Sequence, residues 1–193
     1  MPYRKVQYAP GNYYHIYNRG IDRQPIFQEA ENYAFLLRRI KQYARTFEIS
    51  AIAYCLMQNH YHLLLRQDGD TPISTLMQRI FNSYTKAYNK HYGRQGTLFE
   101  GSYRAIHVDQ ERYLRHVCRY IHANPVRHGF VSQVTDWPYS NYHEWIGARE
   151  GSLVDRAFVE ERFATGAAYA AFVQAYVQGL SELPEGTQAY LIE

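Results

Sequence analysis

The sequence contains little cysteine, no long apolar run and no low-complexity tract. Its two cysteines, Cys55 and Cys118, stand in apolar surroundings without CxxC spacing, so we expect buried thiols rather than a disulfide framework or a thiolate metal site. The first ten residues lack the apolar core of a signal peptide, and no apolar run could span a membrane. We therefore expect a globular, cytoplasmic protein whose 193 residues form one domain, or one domain with an elaborated end.

Charge is distributed unevenly along the chain. Residues 84–127 carry eight Lys or Arg and three acidic residues, whereas residues 141–193 carry three Arg and eight acidic residues. Tyr and Phe are interleaved with the basic residues, and cations bind phosphates while aromatic rings stack on unpaired bases. A nucleic-acid surface is one interpretation of the basic segment, and a solvated charged face is an equally weighted alternative.

Apolar alternation and helical spacing predict the element order β-α-β-β-α-β-α. The predicted strands cover residues 12–18, 49–57, 60–66 and 103–108. The predicted helices cover residues 29–47, a long stretch capped by Thr71, and a stretch from Asp109 to about Asn124, where Pro125 should end it. This order is a split βαβ arrangement with one added helix, and the predicted fold class is α+β.

The last fifty residues follow a weaker pattern. Asp155 can cap a final helix that reaches about Gly179 and is interrupted at Gly166. The last dozen residues, ELPEGTQAYLIE, read as a loose tail.

His60 and His62 are the sharpest local candidates for a metal site. Residues i and i+2 of a strand point to the same face, so both imidazoles can reach one ion while Tyr61 points the other way. The alternative is a pair of hydrogen-bonded structural histidines, which the spacing alone favours.

Tyr120 and Asn124 lie four residues apart on a predicted helix, and therefore on one face of it. The Asn124 carbonyl could be a third metal ligand, and the Tyr120 phenol could attack a phosphate if positive charge from a metal or from Arg119 favoured the phenolate. The chemistry alone does not distinguish Tyr120 from three other tyrosines, Tyr61, Tyr103 and Tyr113.

Five segments, in order, resemble the HUH single-tyrosine transposases, and in particular their REP-associated branch. The segments are HIYNRG (15–20), CLMQNHYHLLL (55–65), GRQGTLFEGSYRAIHVD (93–109), RYIHANPVRHGFV (119–131) and DWPYSNYHEWIG (136–147). Ordered motifs that together span about residues 10–147 are more specific than any one of them.

The resemblance implies a ferredoxin-like antiparallel sheet that presents His60 and His62, with Tyr120 as the nucleophile on an added helix and Asn124 as a further metal ligand. Mg²⁺ or Mn²⁺ would bind the scissile phosphate. Tyr120 would form a 5′-phosphotyrosine link and release a 3′-hydroxyl that can reverse the reaction. Residues 1–147 would be the catalytic domain, and residues 148–193 a helical extension packed on it with a loose acidic tail.

The implied partner is single-stranded DNA with hairpin structure, bound by a monomer or homodimer that associates with the nucleoid when on DNA. Six residues are candidates for DNA contacts: Asn18, Arg19, Arg94, Arg104, Arg119 and Arg127. For Arg94, Arg104 and Arg127, a structural salt bridge is an equally weighted alternative. One alternative is a non-catalytic module of the same fold that binds hairpin DNA or RNA. Another is a metal-dependent phosphodiesterase in which water attacks and Tyr120 is only structural.

Overall fold

A computed structural model describes residues 6–191 of the chain. Its centre is a four-stranded antiparallel sheet in the order β2-β3-β1-β4. The strands are β1 (Tyr13–Arg19), β2 (Ile49–Leu56), β3 (His60–Gln67) and β4 (Arg104–Val108). The predicted α+β class is therefore confirmed.

Six α-helices lie in the described part of the chain. They are α1 (Ala30–Thr46), α2 (Ile73–His91), α3 (Glu111–Arg127), α4 (Tyr142–Trp145), α5 (Arg156–Arg162) and α6 (Gly166–Val177). Short 3-10 helices cover Ile21–Arg23, Val134–Asp136 and Thr187–Tyr190. None of the helices among residues 6–191 is long and apolar enough to cross a membrane.

The sheet has β3 inserted between β1 and β2, the two strands that α1 connects, which is the split βαβ arrangement. Successive strand residues point to opposite faces, so each strand supplies two surfaces. Ile16 and Leu63 belong to the apolar cluster formed with α1 and α2. Leu64 belongs to a second cluster, formed with α3 and with the helices that follow it. The sheet is therefore covered on both faces, and α3 lies on the face that carries the even-numbered residues of β3.

Helix α3 extends one turn beyond the predicted end. Pro125 lies inside it, and the helix ends at Arg127. A proline cannot donate from its own nitrogen, but the amides of His128 and Phe130 beyond it still bond to the carbonyls of Asn124 and Pro125. The prediction that Pro125 ends the helix was therefore wrong by about one turn.

The predicted caps are partly confirmed. Asp155 caps α5, because its carboxylate accepts a hydrogen bond from the Phe158 amide at 3.0 Å. The other two helices begin later than predicted, since Pro72 occupies the N-cap of α2 and Gln110 that of α3.

The chain end is packed rather than loose as far as residue 191, because Thr187 and Tyr190 are buried. The Tyr190 ring packs against Tyr113 of α3 in a tilted arrangement, with ring centres 5.0 Å apart. The loose-tail prediction was therefore wrong for these residues. Its last two positions, 192–193, lie outside the described residues.

Candidate active site

A cavity of about 490 Å³ opens between the sheet and the C-terminal end of α3. His60, His62 and Tyr120 line it, and so do three basic side chains, those of Arg19, Arg23 and Arg127. The cavity therefore combines imidazole nitrogens, a phenol and positive charge.

Strand alternation places His60 and His62 on the same face, as predicted. His62 stands opposite Tyr17 of β1 and Cys55 of β2, and His60 stands opposite Arg19. The two imidazole rings are nearly perpendicular, with centres 5.2 Å apart. Two imidazoles that share one ion, each with a metal–nitrogen distance of about 2.1 Å, have ring centres at a similar separation.

Each of these histidines already uses its Nδ1 atom. His60 Nδ1 lies 2.7 Å from Asn59 Oδ1, and His62 Nδ1 lies 3.1 Å from His15 Nε2. The nitrogen that remains on both rings is Nε2. Histidine ligands are commonly held in this way, with one ring nitrogen hydrogen-bonded and the other facing the ion.

Burial keeps both imidazoles neutral. It lowers the pKa of His60 to about 4, and the neighbouring His128 acts in the same direction. Burial lowers the pKa of His62 well below its usual 6.5, with further contributions from His15 and His60. Neutral imidazoles keep a lone pair for metal binding at neutral pH.

Helix α3 presents Tyr120 and Asn124 to this pair of histidines. The Tyr120 ring lies edge-on to His62, with ring centres 5.6 Å apart, and the Arg127 guanidinium lies 5.4 Å from the Tyr120 ring centre. Asn124 donates from Nδ2 to the Tyr120 carbonyl at 2.8 Å, and its side chain interacts with His60.

The Asn124 side-chain oxygen is buried without a well-aligned hydrogen bond to any donor in the described part of the chain. A buried polar atom normally has a partner, so this oxygen is suited to an ion. Within residues 6–191, no three His, Cys, Asp or Glu side chains form a metal-binding group. Two imidazole nitrogens and one amide oxygen nevertheless fit a divalent ion with open positions for substrate oxygens.

Only two of the six predicted DNA-contact residues line the cavity. Arg19 and Arg127 line the cavity, although Arg19 is also ion-paired to Glu100. Arg104 is exposed on β4, opposite Tyr17, and stands just outside the cavity lining. Arg94 lies apart from it, 5.7 Å from the ring centre of Tyr88.

Asn18 and Arg119 are both buried and lie outside the cavity lining. Asn18 is buried on the opposite face of the sheet, where it donates to the Gly101 carbonyl and accepts from the Arg19 amide. Arg119 is 1% exposed, and its guanidinium lies 4.3 Å from the ring centre of Phe172. The structure therefore does not support DNA contacts for these two residues, nor direct activation of Tyr120 by Arg119.

Several cavity residues were missed from the sequence. Tyr17, Arg23, His128 and Phe130 line the cavity, and His15 lies behind His62. The sequence did carry a signal for some of them. Tyr17 and His15 alternate with Arg19 on one strand face, and His128 follows Asn124 at helical spacing.

Comparisons with known proteins show which family the chain resembles. Over 119 residues the chain is 29% identical to a REP-associated tyrosine transposase of Haemophilus influenzae. This alignment covers 56% of this chain and 67% of that protein. Over 100 residues it is 33% identical to the REP-associated tyrosine transposase of Escherichia coli. That alignment covers 51% of this chain and 56% of the Escherichia coli protein. The matched segment is thus little more than half of the Escherichia coli protein.

A solved REP-associated tyrosine transposase bound to a REP hairpin has the same fold. The TM-score is 0.64 at 22% identity, over 80% of this chain and 94% of that one. Residues 9–124, more than half of the chain, match the family described as IS200-like transposases. The chain therefore belongs to the family of IS200-like transposases, which are enzymes.

Proposed function

We propose that this protein is a metal-dependent endonuclease and strand transferase that acts on single-stranded DNA at hairpin-associated sites. The observation that carries the proposal is the position of Tyr120. Its ring lies edge-on to His62 in a basic cavity, and the buried side-chain oxygen of Asn124 lies one helical turn away, where the Asn124 side chain interacts with His60. A tyrosine needs such electrostatic support to attack a phosphate, because its phenol is almost fully protonated at neutral pH.

The metal ligands in this proposal are His60, His62 and Asn124, and the ion is Mg²⁺ or Mn²⁺. When bound, the ion would polarise the scissile phosphate and neutralise developing negative charge. Burial of the two histidines lowers their pKa values and so keeps the ligand nitrogens unprotonated at neutral pH. The carbonyl of Tyr120 holds Asn124 Nδ2, which directs the amide oxygen away from the helix backbone.

The proposed reaction exchanges one phosphodiester bond for another. The Tyr120 phenol oxygen bonds to phosphorus, and the bond between phosphorus and the 3′-oxygen breaks. The phenol proton is lost and the departing 3′-oxygen gains one, so the products are a 5′-phosphotyrosine and a free 3′-hydroxyl. Attack by a 3′-hydroxyl on the phosphotyrosine reverses the step and rejoins DNA without nucleotide hydrolysis.

The basic rim supports a nucleic-acid substrate. Arg23 and Arg127 carry positive charge at the cavity edge without a salt bridge among residues 6–191, and guanidinium groups bind phosphates well. Relatives of this chain are named REP-associated, and one solved structure with the same fold is bound to a REP hairpin. Hairpin DNA with single-stranded flanks is therefore the substrate class we propose.

The test is a comparison of Tyr120→Phe with the unchanged protein in Mn²⁺ on labelled single-stranded hairpins. We expect the substitution to abolish the covalent protein–DNA adduct seen on a denaturing gel, while hairpin binding changes little. Tyr103→Phe is the matched control, because Tyr103 lies next to β4 outside the cavity and should keep its adduct.

The same experiment separates the alternatives. A persistent adduct in Tyr120→Phe would assign the nucleophile to another residue. Free 5′-phosphate ends without any adduct would indicate a phosphodiesterase that uses water. Hairpin binding that is indifferent to metal, with no cleavage, would indicate a non-catalytic binding module.

A further inference from the structure

A chain of hydrogen bonds runs from the C-terminal segment to His62. The Tyr190 carbonyl oxygen lies 2.7 Å from His15 Nδ1, and His15 Nε2 lies 3.1 Å from His62 Nδ1. His15 is fully buried, and His62 is 1% exposed. His15 does not line the cavity, but its ring lies edge-on to Tyr120 with ring centres 6.1 Å apart, and its hydrogen bond to the site is the one to His62.

The Tyr190 carbonyl determines which atoms donate and which accept in this series of hydrogen bonds. A carbonyl can only accept, so the proton must lie on His15 Nδ1. A neutral imidazole has one N–H, which makes His15 Nε2 an acceptor. His62 must then donate from Nδ1, and its lone pair lies on Nε2.

The opposite polarity would require a charged His15. That imidazolium would donate from Nε2 and leave the proton of a neutral His62 on its Nε2, where a metal could not bind. No carboxylate in the described part of the chain hydrogen-bonds to His15, and an unpaired charge is costly to bury completely. The neutral form and its polarity are therefore favoured.

We propose that His15 is a positioning residue that fixes the tautomer of His62, and that the Tyr190 carbonyl sets the tautomer of His15. The inference rests on the proposed function in one respect, since it takes His62 as a metal ligand. It goes further by making the C-terminal segment part of the site.

Helix α3 and Asp109, two residues before it, hold this segment in place. The Tyr190 hydroxyl donates to Asp109 at 2.5 Å, and the Tyr113 hydroxyl donates to the Glu185 carbonyl at 2.9 Å. Arg119 donates to the Ser181 hydroxyl at 2.9 Å. The helix that carries Tyr120 therefore also fixes the position of the carbonyl that starts the hydrogen-bond chain.

Three substitutions of His15 separate its two hydrogen bonds. In His15→Gln the side-chain oxygen can reach the place of Nε2 and accept from His62. In His15→Asn the shorter amide can replace only Nδ1, so the bond to His62 is lost. His15→Leu removes both bonds. Circular dichroism and thermal melting on all three identify any variant that fails to fold.

The first measurement is the tautomer of His62 in the metal-free protein, read from long-range ¹H–¹⁵N correlation spectra. We expect the Nδ1–H form in the unchanged protein and in His15→Gln, and a mixture of tautomers in His15→Asn. The Nε2–H form in the unchanged protein would overturn the proposal.

The second measurement is Mn²⁺ affinity by calorimetry. Loss of a hydrogen bond that orients a metal-binding histidine typically weakens metal binding by about 10-fold to 100-fold. We expect a loss of that size in folded His15→Asn and His15→Leu, and affinity within a few-fold of the original in His15→Gln. Equal affinities in Gln and Asn variants of similar stability would overturn the proposal.

The outcomes also separate this inference from the proposed function. If Tyr120→Phe abolishes the adduct while every His15 variant binds Mn²⁺ normally, the function stands and the role of His15 is wrong. If the unchanged protein binds no Mn²⁺, the proposed metal chemistry fails, and the tautomer measurement still tests the hydrogen-bond chain.

Discussion

Arg119 and Arg127 lie on the same helix, eight residues apart, in opposite environments. The Arg119 guanidinium is enclosed by the rings of Phe172 and Tyr176 and bonds to Ser181. Arg127 is exposed and lines the cavity. We therefore expect Arg119 to contribute to folding and Arg127 to contact DNA phosphates.

We expect alanine substitutions at these two positions to have opposite effects. Arg119→Ala should lower the free energy of unfolding by about 2 kcal/mol, because it removes buried packing and several hydrogen bonds. Arg127→Ala should change it by less than about 0.5 kcal/mol, yet weaken single-stranded DNA binding and reduce the salt-dependence slope by about 1. Urea unfolding and binding titrations at several salt concentrations measure both quantities. A normal salt slope in Arg127→Ala would show that Arg127 does not contact a phosphate.

Phe130 is an aromatic residue on the wall of the same cavity. It is 38% exposed and lies edge-on to Trp137, with ring centres 5.7 Å apart. It follows a turn at Gly129, where φ is +71°. A braced, exposed ring beside basic side chains suits stacking on an unpaired base.

Phe130→Ala should therefore weaken binding of a hairpin with a single-stranded flank by about 1–3 kcal/mol, the usual range for loss of one stacked base. Binding of the blunt hairpin should change little, and Phe130→Tyr should restore the flanked substrate. Leu180→Ala is the control, because Leu180 is also exposed but lies outside the cavity. Equal losses on flanked and blunt hairpins would argue against stacking.

At the scale of elements, the strands and the hairpin of β2 and β3 were predictable because their side-chain pattern is local. Alternation alone placed His60 and His62 on one face, and helical spacing placed Tyr120 and Asn124 on one face. Only the family resemblance predicted that this face of β3 lies against this face of α3. No periodicity relates β3 to a helix fifty residues later.

The missed features depend on segments that are distant in the sequence. Arg119 looked like a free cation because the residues that cover it, among them Phe172 and Tyr176, belong to α6. Residues near Tyr190 looked like a tail because three buried side chains, those of Thr187, Tyr190 and Leu191, form no repeating pattern. Helical spacing tells which residues share a face, but it does not tell what covers that face.

The side chain of Asn141, at the start of α4, connects this helix to β2 and α3. It hydrogen-bonds to the backbone of β2 as a neighbouring strand would. Its side-chain oxygen accepts from the Tyr54 amide at 2.8 Å, and its Nδ2 donates to the Ile52 carbonyl at 2.9 Å. His122 of α3 lies 2.9 Å from the same oxygen. Asn141 is fully buried, so all of these groups depend on one amide.

Asn141→Ala should lower the free energy of unfolding by about 2–4 kcal/mol, since it leaves several buried polar groups without partners. Asn82→Ala, on the exposed side of α2, should change it by less than about 0.5 kcal/mol. Urea unfolding measures both. A small effect at Asn141 would mean that water replaces its hydrogen bonds.

At the scale of the whole molecule, the site draws on residues from both ends of the chain. The family match ends at Asn124, whereas Arg127, His128 and Phe130 line the cavity and the Tyr190 carbonyl bonds to His15. The region beyond the match therefore completes the cavity.

The buried histidines make stability depend on pH. Burial lowers the pKa of each, to about 4 for His15, His60 and His122 and well below 6.5 for His62. An unfolded histidine titrates near pH 6.5, so between about pH 6.5 and pH 4 the unfolded chain binds protons that the folded protein does not. The free energy of unfolding must then fall as the pH falls through this range, and it should be constant above it.

We expect metal-free protein to lose stability between about pH 6.5 and pH 5, by up to about 1.4 kcal/mol per buried histidine for each pH unit below 6.5. Lowered carboxylate pKa values, as at Glu31 and Glu100, act at more acidic pH and do not obscure the effect. His122→Gln provides the internal comparison, because it removes one titrating group that lies outside the proposed metal ligands. Its unfolding free energy, measured in urea, should fall less steeply with acidification than that of the unchanged protein. If the unfolding free energies of the two proteins fall equally with pH, folding does not lower the pKa of His122.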